Sequence, residues 1–520
     1  MFIAVLFVTG YLYQGCTSTG NANNSNFTLR NQYRPEFHFT PDSMWMNDPN
    51  GMVYFDGEYH LFYQFYPDST VWGPMHWGHA VSNDLVHWEH LPIALYPDSL
   101  GYIFSGSAVA DINNTSGFGS KDQLALVAIF TYHDIKGERA GSNDFQTQGI
   151  AYSLDKGRTW TKYEKNPVLK NPGQRDFRDP KVSWNNETGK WIMTLASGDH
   201  VCFYSSPDLK NWTLESEFGK GIGAHGGVWE CPDLFELPVE GNSAEKKWVL
   251  LVSINPGGPN GGSATQYFVG KFDGHQFINE SAKIKWTDYG KDNYAGVTYS
   301  NIPQTDGRRI LIGWMSNWQY AQVVPTSPWR SAMTFARSLK LTKEADGYSL
   351  NSLPVDEIQL LREQKTDVSK AIITAEKPLD LAIPSQPYPL EVLTAFKVPA
   401  ANPATTFGIE LYNDNGEKVI VGFDRQQSKF YIDRTKSGIT DFSNDFAGVH
   451  YSGTIPPETD IDFHLLIDAA SVELFAMKGK VVMTEIYFPR KNLDKIRITT
   501  TNGNIELEDG TVYKLTANKY

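Results

Sequence analysis

Cysteine is scarce in this chain, with three residues in 520: Cys16, Cys202 and Cys231. That is too few for a disulfide scaffold, and the spacing fits no zinc motif; the bridge left open is Cys202 with Cys231. Cations are also short, 46 Lys and Arg against 59 Asp and Glu, for a net charge of -13. A nucleic-acid partner requires clustered Lys and Arg to neutralise phosphate, so that class is excluded. The charge fits a soluble protein with a neutral or cationic partner. No phosphate-cradling loop, metal-ligand run or haem motif is present, so neither a cofactor nor a metal is expected. Convincing long amphipathic helices are missing too.

What the chain has is aromatic rings. They make up 13% of it, including 14 Trp and 26 Tyr, with 44 Gly and 28 Pro. Rings with frequent Gly and Pro point to short strands and turns, and most of them are explained by core and cross-strand packing. A flat ring face also suits the C–H face of a sugar.

From about Phe37 to Arg337 an apolar strand entered from a polar turn recurs five times: 56–65, 121–132, 187–197, 244–254 and 306–315. The spacing of roughly 50 to 70 residues is that of propeller blades. A second marker, a polar turn closing on tryptophan, gives Trp88, Trp160 and Trp212 as packing between blades. The expected fold is all-β, a five-bladed β-propeller (32–340) followed by a linker with a short helix (341–365) and a C-terminal antiparallel β-sandwich (366–520). The sandwich strands include 407–413, 418–424, 429–435, 463–477 and 481–488. Residues 1–31 read as a leader and flexible linker: the apolar run Met1 to Tyr13 is too short to span a bilayer and suits a signal segment. Gly15-Cys16 before a polar stretch resembles a bacterial lipoprotein cleavage site, although no Lys or Arg precedes the run and Tyr13 stands where an aliphatic residue is usual. Export is expected, to the periplasm or to the outer membrane of a bacterium through a lipidated Cys16, with the protein otherwise free of the membrane and monomeric.

Five polar motifs accompany the five repeats: Trp45-Met46-Asn47-Asp48-Pro49-Asn50-Gly51, Phe104-Ser105-Gly106-Ser107, Phe177-Arg178-Asp179-Pro180, Trp229-Glu230-Cys231-Pro232-Asp233 and Asn293-Tyr294-Ala295-Gly296. Each lies upstream of its repeated strand. Taken alone, the first is turn chemistry, Arg178-Asp179 a local ion pair, and Glu230 a buried hydrogen-bonded acid. In a propeller, however, equivalent places in successive blades converge at one end of the channel, so Asp48, Asp179 and Glu230 should meet. Trp229, Cys231 and Pro232 give Glu230 an apolar setting that favours the protonated acid, Asn47 and Asn50 keep Asp48 ionised, and Arg178 keeps Asp179 ionised. One acid, one nucleophile and a third carboxylate beside aromatic rings suit glycosidic bond hydrolysis.

These motifs, in this order, resemble glycoside hydrolase family 32, the invertases, inulinases and levanases acting on β-fructofuranosides; 468–489 is similar to that family's sandwich domain. The resemblance implies Asp48 as nucleophile, Glu230 as acid/base and Asp179 as transition-state stabiliser, in a retaining reaction with carboxyls about 5–5.5 Å apart. It also implies that Asn47, Gln64, Trp72, Phe104, Ser105, Ser107, Arg178, Tyr294 and Trp314 surround the terminal fructose. Gln64 and Trp314 also suit simple packing, and Cys231 a packing thiol. The expected activity is an exo-acting fructan β-fructosidase on levan, inulin and sucrose. The alternatives are an endo-levanase giving oligosaccharides and a non-catalytic fructan-binding propeller. The loops 140–148 and the glycine-rich 255–263 are expected to decide how closed the pocket is, the latter as a flexible rim.

Overall fold

Each blade begins on the channel and winds outward through antiparallel neighbours. The computed structural model describes residues 32–383, 388–398, 406–456 and 458–517, so the expected leader and Cys16 lie outside the described residues. The innermost strands are Met44–Phe55, Tyr102–Asp111, Phe177–Asn185, Val228–Val239 and Tyr294–Thr298. Each packs against the next, and the fifth against the first, which closes a ring of five. Closure is helped by the short strand Trp329–Arg330, which pairs parallel with Met44 and Trp45, and by the Tyr54 amide donating to the Ser300 carbonyl at 3.0 Å.

The repeated apolar strand of the sequence is the second strand of each blade: Glu58–Tyr66, Ala125–His133, Lys190–Ser197, Asn242–Asn255 and Arg309–Met315. The polar motifs upstream of it lie in the innermost strands themselves, and the first, whose residues suggest a turn, is part of strand Met44–Phe55. The tryptophan turns share one construction. In Ser82-Asp84, Ser153-Asp155 and Ser206-Asp208 the serine hydroxyl donates to the aspartate at 3.1, 2.7 and 3.1 Å. The next residue, Leu85, Lys156 or Leu209, takes positive φ of 66°, 58° or 62°. Trp88, Trp160 and Trp212 then donate their indole N–H to the carbonyls of Leu85, Gly157 and Leu209. Trp160 meets Phe62 of the first blade edge-on at 5.4 Å, so this ring packs between blades as expected.

Residues 341–365, expected as linker, largely complete the fifth blade: Gly347–Pro354 pairs along its whole length with Arg337–Glu344. Only the 3-10 helix Asp356–Leu361 then separates propeller from sandwich. The sandwich stacks a seven-stranded sheet on a six-stranded one over Val392, Phe396, Ile409, Val421, Phe463, Leu474 and Ile498. The stretch 463–477 is not one strand but the hairpin Asp460–Asp468 and Ser471–Ala476.

The two units are joined by buried ion pairs. Arg337 of the fifth blade pairs with Asp288 at 2.9 Å and with Glu473 of the sandwich, and Arg434 of the sandwich pairs with Asp292 at 2.5 Å and Glu485 at 2.8 Å. His38 bridges Asp468 and Glu473 at 2.8 and 2.7 Å. Severing one partner of such a buried pair costs about 3–5 kcal/mol, because the other charge is left uncompensated.

His38 sets a pH limit on this interface. Burial alone would depress its pKa, but the hydrogen bonds to Asp468 and Glu473 outweigh burial and raise it to about 9 from 6.5. A histidine raised in the folded state contributes fully below pH 6.5 and loses that contribution as the pH climbs through about 9. Glu473, where burial is outweighed by Arg337 and His38, is held at about 2, so its contribution is complete above 4.5 and lost only as pH falls towards 2. The melting temperature is expected to fall between pH 6.5 and 9, and His38→Asn should flatten that fall; thermal unfolding of both proteins across the interval checks it.

Candidate active site

All five innermost strands break register within their motif. The irregularities fall between Met46 and Pro49, Ile103 and Gly106, Glu230 and Asp233, and Tyr294 and Val297, and opposite Asp179-Pro180 in the third blade. A regular strand sends successive side chains to opposite faces, whereas a bulge re-aims one of them. The residue after the pocket pair explains the bulge: Pro49, Pro180 and Pro232 cannot donate to the ladder, and Gly106 and Gly296 stand in the equivalent places. Asp179, Cys231 and Ala295 accordingly take φ of 64°, 45° and 54°. For residues other than glycine such backbone costs about 1–3 kcal/mol each, held in place by the surrounding blades. Gly51 is a further requirement of the first motif, since at φ 54° a Cβ there would lie 2.5 Å from Phe62.

The result is two levels of side chains at the channel mouth. One comprises Asn47, Phe104, Arg178, Glu230 and Tyr294; the other Asp48, Ser105, Asp179, Cys231 and Ala295. On the second level Ser105 donates to Asp48 Oδ2 at 2.7 Å, and Asn47 donates to Asp48 Oδ1 at 3.0 Å. The Cys231 amide donates to Asp179 Oδ2 at 3.0 Å, and its thiol lies 3.5 Å from Asp48 and 3.6 Å from Asp179. On the first level Arg178 donates to Glu230 Oε1 through Nε and Nη2 at 3.2 and 3.1 Å, and the Tyr294 hydroxyl donates to Glu230 Oε2. Asp48, Asp179 and Glu230 thus meet, as the sequence expects.

Arg178 differs from expectation in its partner. It lies 4.0 Å from Asp179 but 3.1 Å from Glu230, with Asp176 fixing its other end at 2.6 Å. Glu230 is likewise not in an apolar setting: Trp229 turns into the core against Phe268 at 5.9 Å, leaving Glu230 half-buried among polar partners. Burial raises Asp179 to about 7; Arg178 and the Cys231 amide oppose this, while Glu230 and Asp48 add to it. Burial also pushes the Cys231 thiol and the Tyr294 hydroxyl well up, so both remain protonated donors and Cys231 is no nucleophile.

Trp72 and Phe104 stand half-buried at 6.0 Å from one another, with Phe104 stacked on His133 at 4.2 Å. Trp314 is fully buried against Tyr294, Trp45 and Trp318, and its indole N–H has no hydrogen-bond partner. Two expected residues are committed elsewhere. Gln64 donates to the Ile103 carbonyl at 3.0 Å, and the Ser107 hydroxyl donates to Pro180 while accepting from Val182 at 2.9 and 3.0 Å. Ser107 lies two residues beyond Ser105, at the level of Asn50, Lys181 and Asp233, and ties blades together below the site. Residues not foreseen are Asp176 and Trp318; Asp176 had a signal, standing two residues before Arg178, and the Cys231 thiol, expected only to pack, faces Asp48 and Asp179. Cys202 and Cys231 are free thiols. The glycine-rich rim is not loose: Asn260 donates to the carbonyls of Tyr289 and Tyr451 at 2.6 and 3.0 Å, pinning it to the sandwich.

The model of the glycosyl hydrolases family 32 N-terminal domain matches residues 38–354, and the family 32 C-terminal model matches 357–514. The chain belongs to glycosyl hydrolase family 32. It is similar to a levanase of Bacillus subtilis (49% identity over 486 residues, 93% of this chain and 70% of the relative) and to the extracellular exo-inulinase of Aspergillus ficuum (38% identity, 96% and 98%). Among solved structures it resembles the exo-inulinase of Aspergillus awamori (TM-score 0.84, 36% identity, 93% and 98% covered). It also resembles the β-fructofuranosidase of Schwanniomyces occidentalis complexed with fructosyl-erythritol (TM-score 0.85, 36% identity, 94% and 98% covered). This family 32 chain is a glycosidase that hydrolyses β-fructofuranosidic bonds.

Arg178→Gln removes the cation opposing the rise at Asp179. The acidic limb of kcat/KM should move to higher pH, with a loss of about 10²-fold at the optimum; pH–rate profiles of both proteins check it.

Proposed function

We propose that this enzyme is an exo-acting fructan β-fructosidase in which Asp48 is the nucleophile, Glu230 the acid/base and Asp179 the group that holds fructosyl hydroxyls. The observation that carries the reading is the meeting of these three carboxylates, from three blades, beside the Arg178 guanidinium. Asp48 is oriented by Asn47 and Ser105, so its carboxylate presents a fixed oxygen to the anomeric carbon. Glu230 gives its proton to the leaving oxygen as the C–O bond breaks and a fructosyl–Asp48 ester forms. It then takes a proton from the water that cleaves the ester. Arg178 and Tyr294 keep Glu230 aimed throughout. A terminal unit suits the enclosure at one side: Trp318 packs at a tilt against Trp314 and Trp45, and its amide donates to Ser263 at the end of the pinned rim.

Levan and inulin, and sucrose with them, are the substrates this reading gives. Export fits the extracellular exo-inulinases it resembles. Attachment through a lipidated Cys16 is our reading of the leader, with the enzyme monomeric; no described helix is long and apolar enough to cross a membrane.

Asp48→Asn is expected to lower kcat by about 10⁴-fold while fructan binding persists. With levan, inulin and sucrose side by side, size-resolved early products should be fructose alone, and added methanol should be trapped as the methyl β-fructofuranoside. A ladder of oligosaccharides would instead identify an endo-levanase, and binding without turnover a lectin-like propeller.

A further inference from the structure

His200, Cys202 and Glu217 form a second cluster of chemistry-bearing side chains, on the third blade and outside the carboxylate site. His200 and Cys202 are alternate residues of strand His200–Ser206 and so share a face, and Glu217 stands directly cross-strand from Cys202 in strand Thr213–Phe218. Their donor atoms all lie within 4.8 Å of one another, with Cys202 Sγ 3.9 Å and Glu217 Oε1 3.8 Å from His200 Nε2. Zinc–ligand bonds of about 2.0–2.3 Å at tetrahedral angles require roughly 3.4–3.6 Å between donors, so small side-chain rotations close the site.

The histidine itself gives the second indication. His200 is 6% exposed, and its Nδ1 is buried without a hydrogen-bond partner. The Asp199 carboxylate stands 3.7 Å from that Nδ1, where carboxylates commonly orient a metal-bound imidazole. Lys220 is the competing cation, but it takes Glu217 Oε2 and leaves Oε1 facing His200. His225 engages only the far oxygen of Asp199, at 3.3 Å.

We infer that His200, Cys202 and Glu217 constitute a binding site for a thiophilic divalent transition-metal ion of the zinc type, with water as fourth ligand and Asp199 as the orienting group. Thiolate, imidazole and carboxylate together select such an ion over magnesium or calcium. On binding, the Cys202 S–H proton leaves to solvent as the sulfur–metal bond forms. The site adjoins the carboxylates through its hairpin: Gly198 accepts from the Trp229 amide and donates to the Asp176 carbonyl, both at 2.7 Å. An ion there braces the strands that carry Glu230 and Arg178.

Cobalt(II) titration of the intact, metal-free enzyme tests this. The expected result is a near-ultraviolet sulfur-to-cobalt charge-transfer band, saturating at one equivalent and bleached by one equivalent of zinc. Cys202→Ser should abolish the band and Cys231→Ser should retain it. Glu217→Gln, a change at a partly exposed side chain, should weaken cobalt affinity at least tenfold without altering the melting temperature of the metal-free protein. Absence of the band, or its persistence in Cys202→Ser, overturns the site.

Discussion

Three carboxylates converge where the channel opens, and Arg178 is the cation that makes their proximity tolerable. One of its guanidinium edges serves Glu230, its other end is anchored by Asp176, and Asp179 lies within reach. Like charges in a partly dry site repel strongly and push one another towards protonation. Burial pushes Arg178 towards losing its proton, but Glu230, Asp179 and Asp176 outweigh it and push its pKa well up, so it stays a cation. The carboxylates are not equivalent around it. Asp48 takes neutral donors, Ser105 and Asn47; Glu230 takes the cation; and Asp179, buried and raised, takes a backbone N–H. Different neighbours are how one residue type can perform the three tasks proposed for it.

That arrangement depends on the backbone. Neighbouring residues of an ordinary strand cannot both face the channel, yet Asn47 with Asp48, Arg178 with Asp179 and Glu230 with Cys231 do so, because a bulge interrupts each ladder. Pro49 was visible as a turn-former, and the turn reading took from it the right idea, a break in regular pairing, and the wrong element; Pro180 and Pro232 make the same break in the third and fourth blades. Five repeats, their order and the meeting of Asp48, Asp179 and Glu230 follow from spacing alone and were therefore legible. Ser107 and the partner of Arg178 were not, because they depend on how closely a strand approaches that of the next blade, and local sequence carries no distance between blades. Glu230 misled for the same reason: its neighbours in sequence, Trp229 and Pro232, are not its neighbours in space.

The sandwich, for which the sequence offers no chemistry, acts on the site through its contacts. The segment preceding Tyr294 lies along strand Val481–Ile486: the Tyr289 amide donates to Val482, Lys291 to Glu485 Oε1 and Asp292 to Thr484, at 2.8, 3.0 and 3.0 Å. Asp288 and Asp292 receive Arg337 and Arg434 there. Tyr294 emerges from this clamp to donate to Glu230. The pinning of Asn260 to Tyr451 is the same device on the rim beside Trp318.

A buried ion pair is a poor way to gain stability, since apolar packing often does as well, so its use here asks for another reason. An apolar interface between two curved surfaces tolerates sliding by fractions of an ångström at little cost. Arg337 and Arg434 do not: each guanidinium has fixed donors matched to two carboxylates, one on each side of the interface, and displacement leaves a buried charge unpaired. The tolerance of the hydrogen bonds around Glu230 is of the same order, a few tenths of an ångström. Charges in the interface therefore set the position of the Tyr294 hydroxyl with the accuracy that the proposed proton transfer at Glu230 demands, which apolar contacts alone would not.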